Sequence, residues 1–137
     1  MVDQNAFNRK LIEDFRASRE TDPVVLNGRP LLLLTTLGAR SGQPHTTPVM
    51  TFPDGDRYIV IASNAGAPKH PDWYRNLVAH PEVTVEVGKE TFDGIATVAA
   101  GEERERLWKK ATEVGPFFTD HQAKITRQIP VVILSRR

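Results

Sequence analysis

Apolar positions at helical spacing open the chain. Phe7, Leu11, Ile12 and Phe15 recur at intervals of three and four, with Asp3 able to cap, and this predicts an amphipathic helix over 3–17. Residues 18–30 are polar and turn-rich. The leucine run over 31–37 predicts a strand buried on both faces, followed by a loop over 38–44. The Thr- and Val-rich stretch 45–52 predicts a strand that Pro48 confines to an edge or a bulge. A turn at 53–56 leads into a strand over 57–62 and a loop over 63–70. Pro71 suits the first turn of a short helix ending near residue 79. Val83, Val85 and Val87 alternate with Thr84 and Glu86, the mark of a half-buried strand. Gly88 and Lys89 turn the chain into a longer strand over 90–100, with Phe92, Gly94, Ala96 and Val98 on one face. A helix over 102–114 starts acidic and turns Leu107, Trp108 and Ala111 inward, until Gly115 and Pro116 stop it. A short helical segment near 117–124 and a strand over 131–135 follow. Strands in meanders with helices inserted predict the α+β class, with an antiparallel sheet or small barrel.

Composition narrows the options. A chain of 137 residues suits a single domain, 1–137, and leaves no room for separate cofactor and substrate domains. The absence of Cys excludes disulfides, thiolate metal sites and a Cys nucleophile. With 18 basic and 17 acidic side chains the net charge is +1, so no global field for nucleic acid exists. The aliphatic runs are too short to span a bilayer, and the first residues lack a secretory apolar region, so a soluble cytoplasmic protein with no stable membrane insertion is expected. Arg9, Lys10 and Arg16 are partly balanced by Glu13 and Asp14, so the first helix is expected to pack on the barrel.

The candidate chemistry lies in two loops. If the strands around 31–62 form a meander, loops 38–44 and 63–70 share one end of the sheet and the turn at 53–56 lies at the other. In the first loop, Gly38 and Gly42 allow close backbone approach, while Arg40 and the Ser41 hydroxyl can bind an oxyanion. In the second, Lys69 precedes a helix whose first-turn N–H groups would add to an anion site, although Asp72 works against it. The loops fit neither a P-loop nor a dinucleotide fingerprint. His45, His70, His80 and His121 lack metal-ligand spacing, and no metal is expected. Ser41 and Ser63 lack a nucleophile-elbow context.

Three blocks carry a resemblance: LLTTLGARSGQP at 33–44, IASNAGAPKHPDWYRNL at 61–77 and RQIPVVIL at 127–134. Together they resemble the deazaflavin-dependent nitroreductase family over about residues 25–135. The resemblance implies a split β-barrel of the flavin-binding, pyridoxamine-phosphate-oxidase-like type, mostly antiparallel with peripheral helices. It implies coenzyme F-420, a deazaflavin with a phospholactyl–oligoglutamate tail, and hydride transfer to a quinone, nitroaromatic or enone. A separate enzyme would reduce the coenzyme. Carried over residue by residue, Arg40, Ser41 and Gly42 would hold the tail phosphate with Lys69 nearby, and Trp73 and Asn76 would line the tail or ring beside Pro71. Thr47, Pro48, Ile61, Ala62, Ser63 and Asn64 would bracket the deazaflavin. Met50, Phe118 and His121 would form the acceptor pocket, and His121 or Tyr74 would deliver a proton. His45 stands where some members have Arg, which makes that phosphate contact weaker and pH-dependent. Gly115, Phe118 and His121 stand where nitroimidazole-reducing members carry tyrosines. A non-catalytic deazaflavin carrier and an FMN-dependent reductase of the same fold are the alternatives.

Overall fold

The computed structural model describes residues 4–18, 25–26 and 29–137. The Asp3 cap and the Phe7 side chain lie outside the described residues. Helix α1 spans Gln4–Ser18. Strands β1 (Val25–Leu26), β2 (Arg29–Leu37) and β3 (Pro44–Met50) follow, then β4 (Phe52–Asp54) and β5 (Arg57–Ile61). A 3-10 turn (Asn64–Gly66) and α2 (Asp72–Ala79) precede β6 (Glu82–Val87) and β7 (Glu90–Val98). Helices α3 (Gly101–Val114) and α4 (Phe117–Ala123) lead to β8 (Val131–Arg136).

Among the described residues, eight strands form an antiparallel sheet in the order β1-β2-β6-β7-β8-β5-β4, with β3 on β2. The single strand expected over 45–52 is two. Over 44–50 it pairs with β2, in register Leu31↔Met50 to Leu37↔Pro44. It breaks at Thr51 and then pairs with β5 as Phe52↔Ile59. Thr51 donates its hydroxyl proton to the Ile59 carbonyl at 2.9 Å, so the break is itself hydrogen-bonded. One bent strand thereby links β2, near one end of the strand order, to β5, near the other, and curls the sheet toward a barrel. Pro48 pairs with Leu33 on the one ladder β3 makes, which fits its missing N–H. The β1–β2 hairpin was not expected from a stretch read as polar turn.

Strand alternation divides the apolar residues into two cores. Leu32, Leu34, Val60, Val83, Val85, Ala96, Val132 and Leu134 fill the barrel, and Trp73 and Leu77 of α2 plug it at one end. Phe52, Ile59, Val131 and Ile133 point outward and pack under Leu107 and Ala111 of α3 and Phe118 of α4. The leucine run serves both faces, as its composition predicts: Leu31 to Leu34 are each at most 3% exposed. Of the face expected on β7, Gly94 and Ala96 are buried and Phe92 half-buried, but Val98 is 40% exposed. Helix α1 is tied down by Arg16, whose guanidinium makes a two-pronged bond to the nearly buried Glu86 of β6 (3.2 and 2.9 Å).

Candidate functional site

Loops 38–44 and 63–70 do meet at one end of the barrel, across the start of α2. Asn76 of α2 joins two of these parts. Its side-chain carbonyl accepts from the Ala39 N–H at 3.0 Å, and its amide donates to the Thr36 hydroxyl at 3.2 Å. The first loop is closed on itself by Gly38 N–H to the Gln43 carbonyl (2.8 Å) and Gly42 N–H to the Gly38 carbonyl (2.9 Å). A Cβ at Gly38 would stand 2.5 Å from Ser41 Oγ, so any other residue there would push the Ser41 side chain out of its place in the loop. Ser41 Oγ accepts from the Gln43 N–H at 3.2 Å, which leaves its own proton free to donate. In the second loop Asn64 adopts φ 50° and donates its side-chain amide to the Lys69 carbonyl at 3.0 Å. A left-handed non-glycine residue at a loop tip is a conformation that the surroundings must hold in place.

Between these loops, β3 and α1 lies a cleft of about 1080 Å³. Of the expected cofactor residues, Arg40, Ser41, His45, Thr47, Asn64, Lys69, Pro71, Trp73 and Asn76 line it. Gly42, Pro48, Ile61, Ala62 and Ser63 do not. Ala62 and Ser63 are buried, and their backbone groups are already engaged. The Ala62 N–H donates to the Pro130 carbonyl at 3.0 Å, and both their carbonyls accept from Arg127.

Met50 and Phe118 come together in a second, apolar crevice, with Ile61, Val114 and Phe117. Its free space is about 10 Å³, room for roughly one water. His121 does not line that crevice or the cleft. It packs against Phe117 and Phe118 (ring centroids 5.5 and 6.1 Å), with a buried Nδ1 that has no hydrogen-bond partner. Burial, more than the nearby Lys124, lowers its pKa. Tyr74 is half-buried against the barrel core, and its ring packs tilted against His70 at 4.6 Å, also outside the cleft lining.

The cleft is basic. Arg9, Arg40, Lys69 and Arg75 line it against one carboxylate, Asp72. None of the four cations forms an ion pair among the described residues. Sequence reasoning missed Asn8, Arg9 and Ile12 of α1, Arg75 and His70 as cleft residues. An amphipathic pattern shows that α1 packs somewhere but not which cleft it borders. The ordering role of Arg127 had no local signal, because a lone arginine before a strand has no motif.

A curled antiparallel barrel with a basic ligand cleft beside its plugging helix defines a split-barrel protein built for an anionic ligand. A chain from Listeria innocua described as a pyridoxamine 5'-phosphate oxidase, 16% identical, shares that fold alone, with a TM-score of 0.57 over 93% of this chain and 94% of its own. The family model described as "F420H(2)-dependent quinone reductase" matches residues 8–136, and the chain belongs to that family. It is therefore an oxidoreductase whose cofactor is coenzyme F-420. It is 40% identical over 111 residues to an F420H(2)-dependent quinone reductase of Mycobacterium tuberculosis (strain ATCC 25618 / H37Rv), covering 79% of this chain and 74% of that one. A solved F420-H2 dependent reductase, FDR-A, is 42% identical and superposes with a TM-score of 0.72 over 82% of this chain and 99% of its own. No helix among the described residues is long and apolar enough to cross a membrane.

Proposed function

We propose that this chain, acting as one domain over residues 1–137 in the cytoplasm, passes hydride from reduced F-420 to a quinone. The single observation that carries the reading is the cleft of about 1080 Å³ with four cations, none ion-paired among the described residues, against one carboxylate. A site with that charge imbalance suits a ligand bearing a phosphate and several carboxylates. Arg40 and the free hydroxyl proton of Ser41 would hold the phosphate, with Lys69 across the cleft. Arg9 and Arg75 extend the basic surface along which a charged tail would run. Thr47, His45 and Trp73 line the same cleft, where a flat ring would lie. Ala62 and Ser63 stay outside the cleft lining with their carbonyls bonded to Arg127, Ile61 lines the apolar crevice, Pro48 sits in β3 opposite Leu33, and Gly42 shapes the phosphate loop.

When bound, the reduced coenzyme supplies the hydride; the protein supplies binding, orientation and exclusion of water. Proton delivery falls to solvent: Tyr74 and His121 both lie outside the cleft lining as the chain is folded, and burial keeps His121 neutral near pH 7. The narrow Met50–Phe118 crevice has no room for a quinone ring, so the acceptor shares the large cleft unless the Phe117 and Phe118 rings move. Another enzyme must reduce the coenzyme, and no nucleic-acid partner is needed.

The test is a competitive titration of F-420 against FMN, followed by oxidation of the reduced coenzyme with menadione. Tight F-420 binding with turnover supports the reading. Binding without turnover over a broad acceptor panel would make the chain a carrier, and preference for FMN would make it a flavin reductase.

A further inference from the structure

Loop 62–70 is held from behind by one side chain. Arg127 donates from Nε and Nη2 to the Ala67 carbonyl (3.2 and 3.0 Å), from Nη2 to the Ser63 carbonyl (2.9 Å) and from Nη1 to the Ala62 carbonyl (3.2 Å). The same Nη1 lies 3.2 Å from His70 Nδ1. A guanidinium only donates, so Nδ1 must accept. The imidazole is then neutral, and its proton sits on Nε2. His70 lines the cleft.

The charges acting on His70 are cationic, Arg127 behind the loop and Arg75 on α2, and the Tyr74 ring packs against it at 4.6 Å; Lys69 and the carboxylate Asp72 line the same cleft. Burial, then Arg127, then Arg75 hold its pKa below the ordinary histidine value. Arg127 has no carboxylate partner among the described residues; carbonyl dipoles meet its charge.

We infer that Arg127 and His70 form a positioning pair, in which Arg127 fixes loop 62–70 and the His70 ring so that His70 presents the cleft with a neutral Nε2–H donor for an oxygen of the bound coenzyme. This rests on the F-420 reading above. Arg127 touches no ligand; it acts through the loop and the ring. Lysine in its place keeps the charge but lacks the planar fork needed to span three carbonyls and a ring nitrogen.

The experiment uses the full chain labelled with ¹⁵N-histidine, with the His70 ring signals assigned by their loss in His70→Gln. Nitrogen shifts should report the Nε2–H tautomer and a pKa below the ordinary value. Arg127→Gln should raise that pKa, because a repelling charge is gone and the loop opens to water. In a fluorescence titration His70→Leu should weaken F-420 binding roughly tenfold, the loss of one hydrogen bond to a charged or strongly polar oxygen. His70→Gln, whose amide N–H replaces the donor, should restore most of it. Arg127→Lys should weaken binding by a similar factor while remaining folded by circular dichroism. An Nδ1–H tautomer, a charged ring at neutral pH, or equal binding by the His70→Leu, His70→Gln and wild-type chains would each overturn the inference. Wild-type protein that binds no F-420 would instead sink the cofactor reading, and the nitrogen shifts of the unliganded chain would still decide the Arg127–His70 pair.

Discussion

The two ends of the barrel use the same kinds of charge in opposite ways. At the turn end, Asp54 receives two bonds from Arg106 (2.9 and 3.0 Å) and one from Arg57, with Lys110 at 3.7 Å. Glu103 lies 3.4 Å from Arg57 and 4.0 Å from Arg106. Every cation there has a carboxylate, and the network pins α3 to the β4–β5 hairpin. At the loop end, Arg9, Arg40, Lys69 and Arg75 have no ion-pair partner among the described residues. Neutralised charge holds the fold together; charge left unneutralised beside a cleft awaits a ligand. A net charge of +1 hides this division, because it averages the two ends.

The largest break in the comparison should come from the loop end. Arg40→Ala combined with Lys69→Ala should weaken F-420 binding at least a hundredfold, given two charge-assisted contacts, with little change in melting temperature. Fluorescence titration and a thermal melt check both halves. Unchanged affinity would remove the phosphate assignment. Wild-type binding should also weaken steadily between 50 and 500 mM salt, because these cations are exposed and screened.

The turn end should show the reverse. Asp54→Ala should cost about 1 kcal/mol of stability and leave F-420 affinity unchanged. Hydrogen bonds from Arg106 and then Arg57 hold the Asp54 carboxyl well below the usual carboxylate range. A carboxyl depressed by folding adds stability that is full above its unfolded pKa, near 3.9, and is lost as pH falls below it. The histidines act earlier. Burial lowers His70 and His121, so the unfolded chain takes up protons first, and stability drops as pH falls below about 6.5. Chemical denaturation from pH 8 to 3 should therefore show two declines in wild type. The lower one should be reduced in Asp54→Ala. A single decline near pH 4 would sink the histidine contribution.

Local pattern made most of the elements legible, because period-2 and period-3.6 spacing is written into neighbouring residues. The helices at α1, α2, α3 and α4 and the strands at β2, β5, β6, β7 and β8 all fall where spacing puts them. The bend at Thr51 was not legible. A strand that changes partner midway keeps its residue preferences, and only the rest of the barrel decides where it breaks. The two loops carrying Arg40, Ser41, Asn64 and Lys69 were legible because glycine, asparagine and basic residues cluster there, and meander geometry puts both at one end. The contributions of Arg127 and α1 were not, because each reaches the site from a distant part of the chain. Arg127 bonds to Ala62 across 65 positions, and Arg16 to Glu86 across 70. His121 is a different case: only the resemblance suggested it as a proton donor, and the fold buries its Nδ1 with no hydrogen-bond partner among the described residues, outside the lining of the cleft.

The smallest effect expected at the cleft is that of α1, and it tests whether the basic end is one surface or two. Arg9 lines the cleft but sits on a helix whose hold on the barrel includes Phe15, 2% exposed, and the Arg16–Glu86 pair. Arg9→Ala removes one exposed charge, so F-420 binding should weaken by about twofold to fivefold. Arg16→Ala leaves Arg9 intact but frees the helix that carries it by removing the bond to Glu86. If α1 contributes only through Arg9, the double variant should bind no worse than Arg9→Ala. If the helix also orders the cleft wall through Asn8 and Ile12, Arg16→Ala should weaken binding by itself, and the two losses should be less than additive, since both act through the same helix. A double-mutant cycle on F-420 affinity separates these. Independent, additive losses would mean that α1 serves the cleft at two unrelated points, as the carrier of the Arg9 charge and as a structural clamp, and the basic end would then be built from α1 and the two loops together.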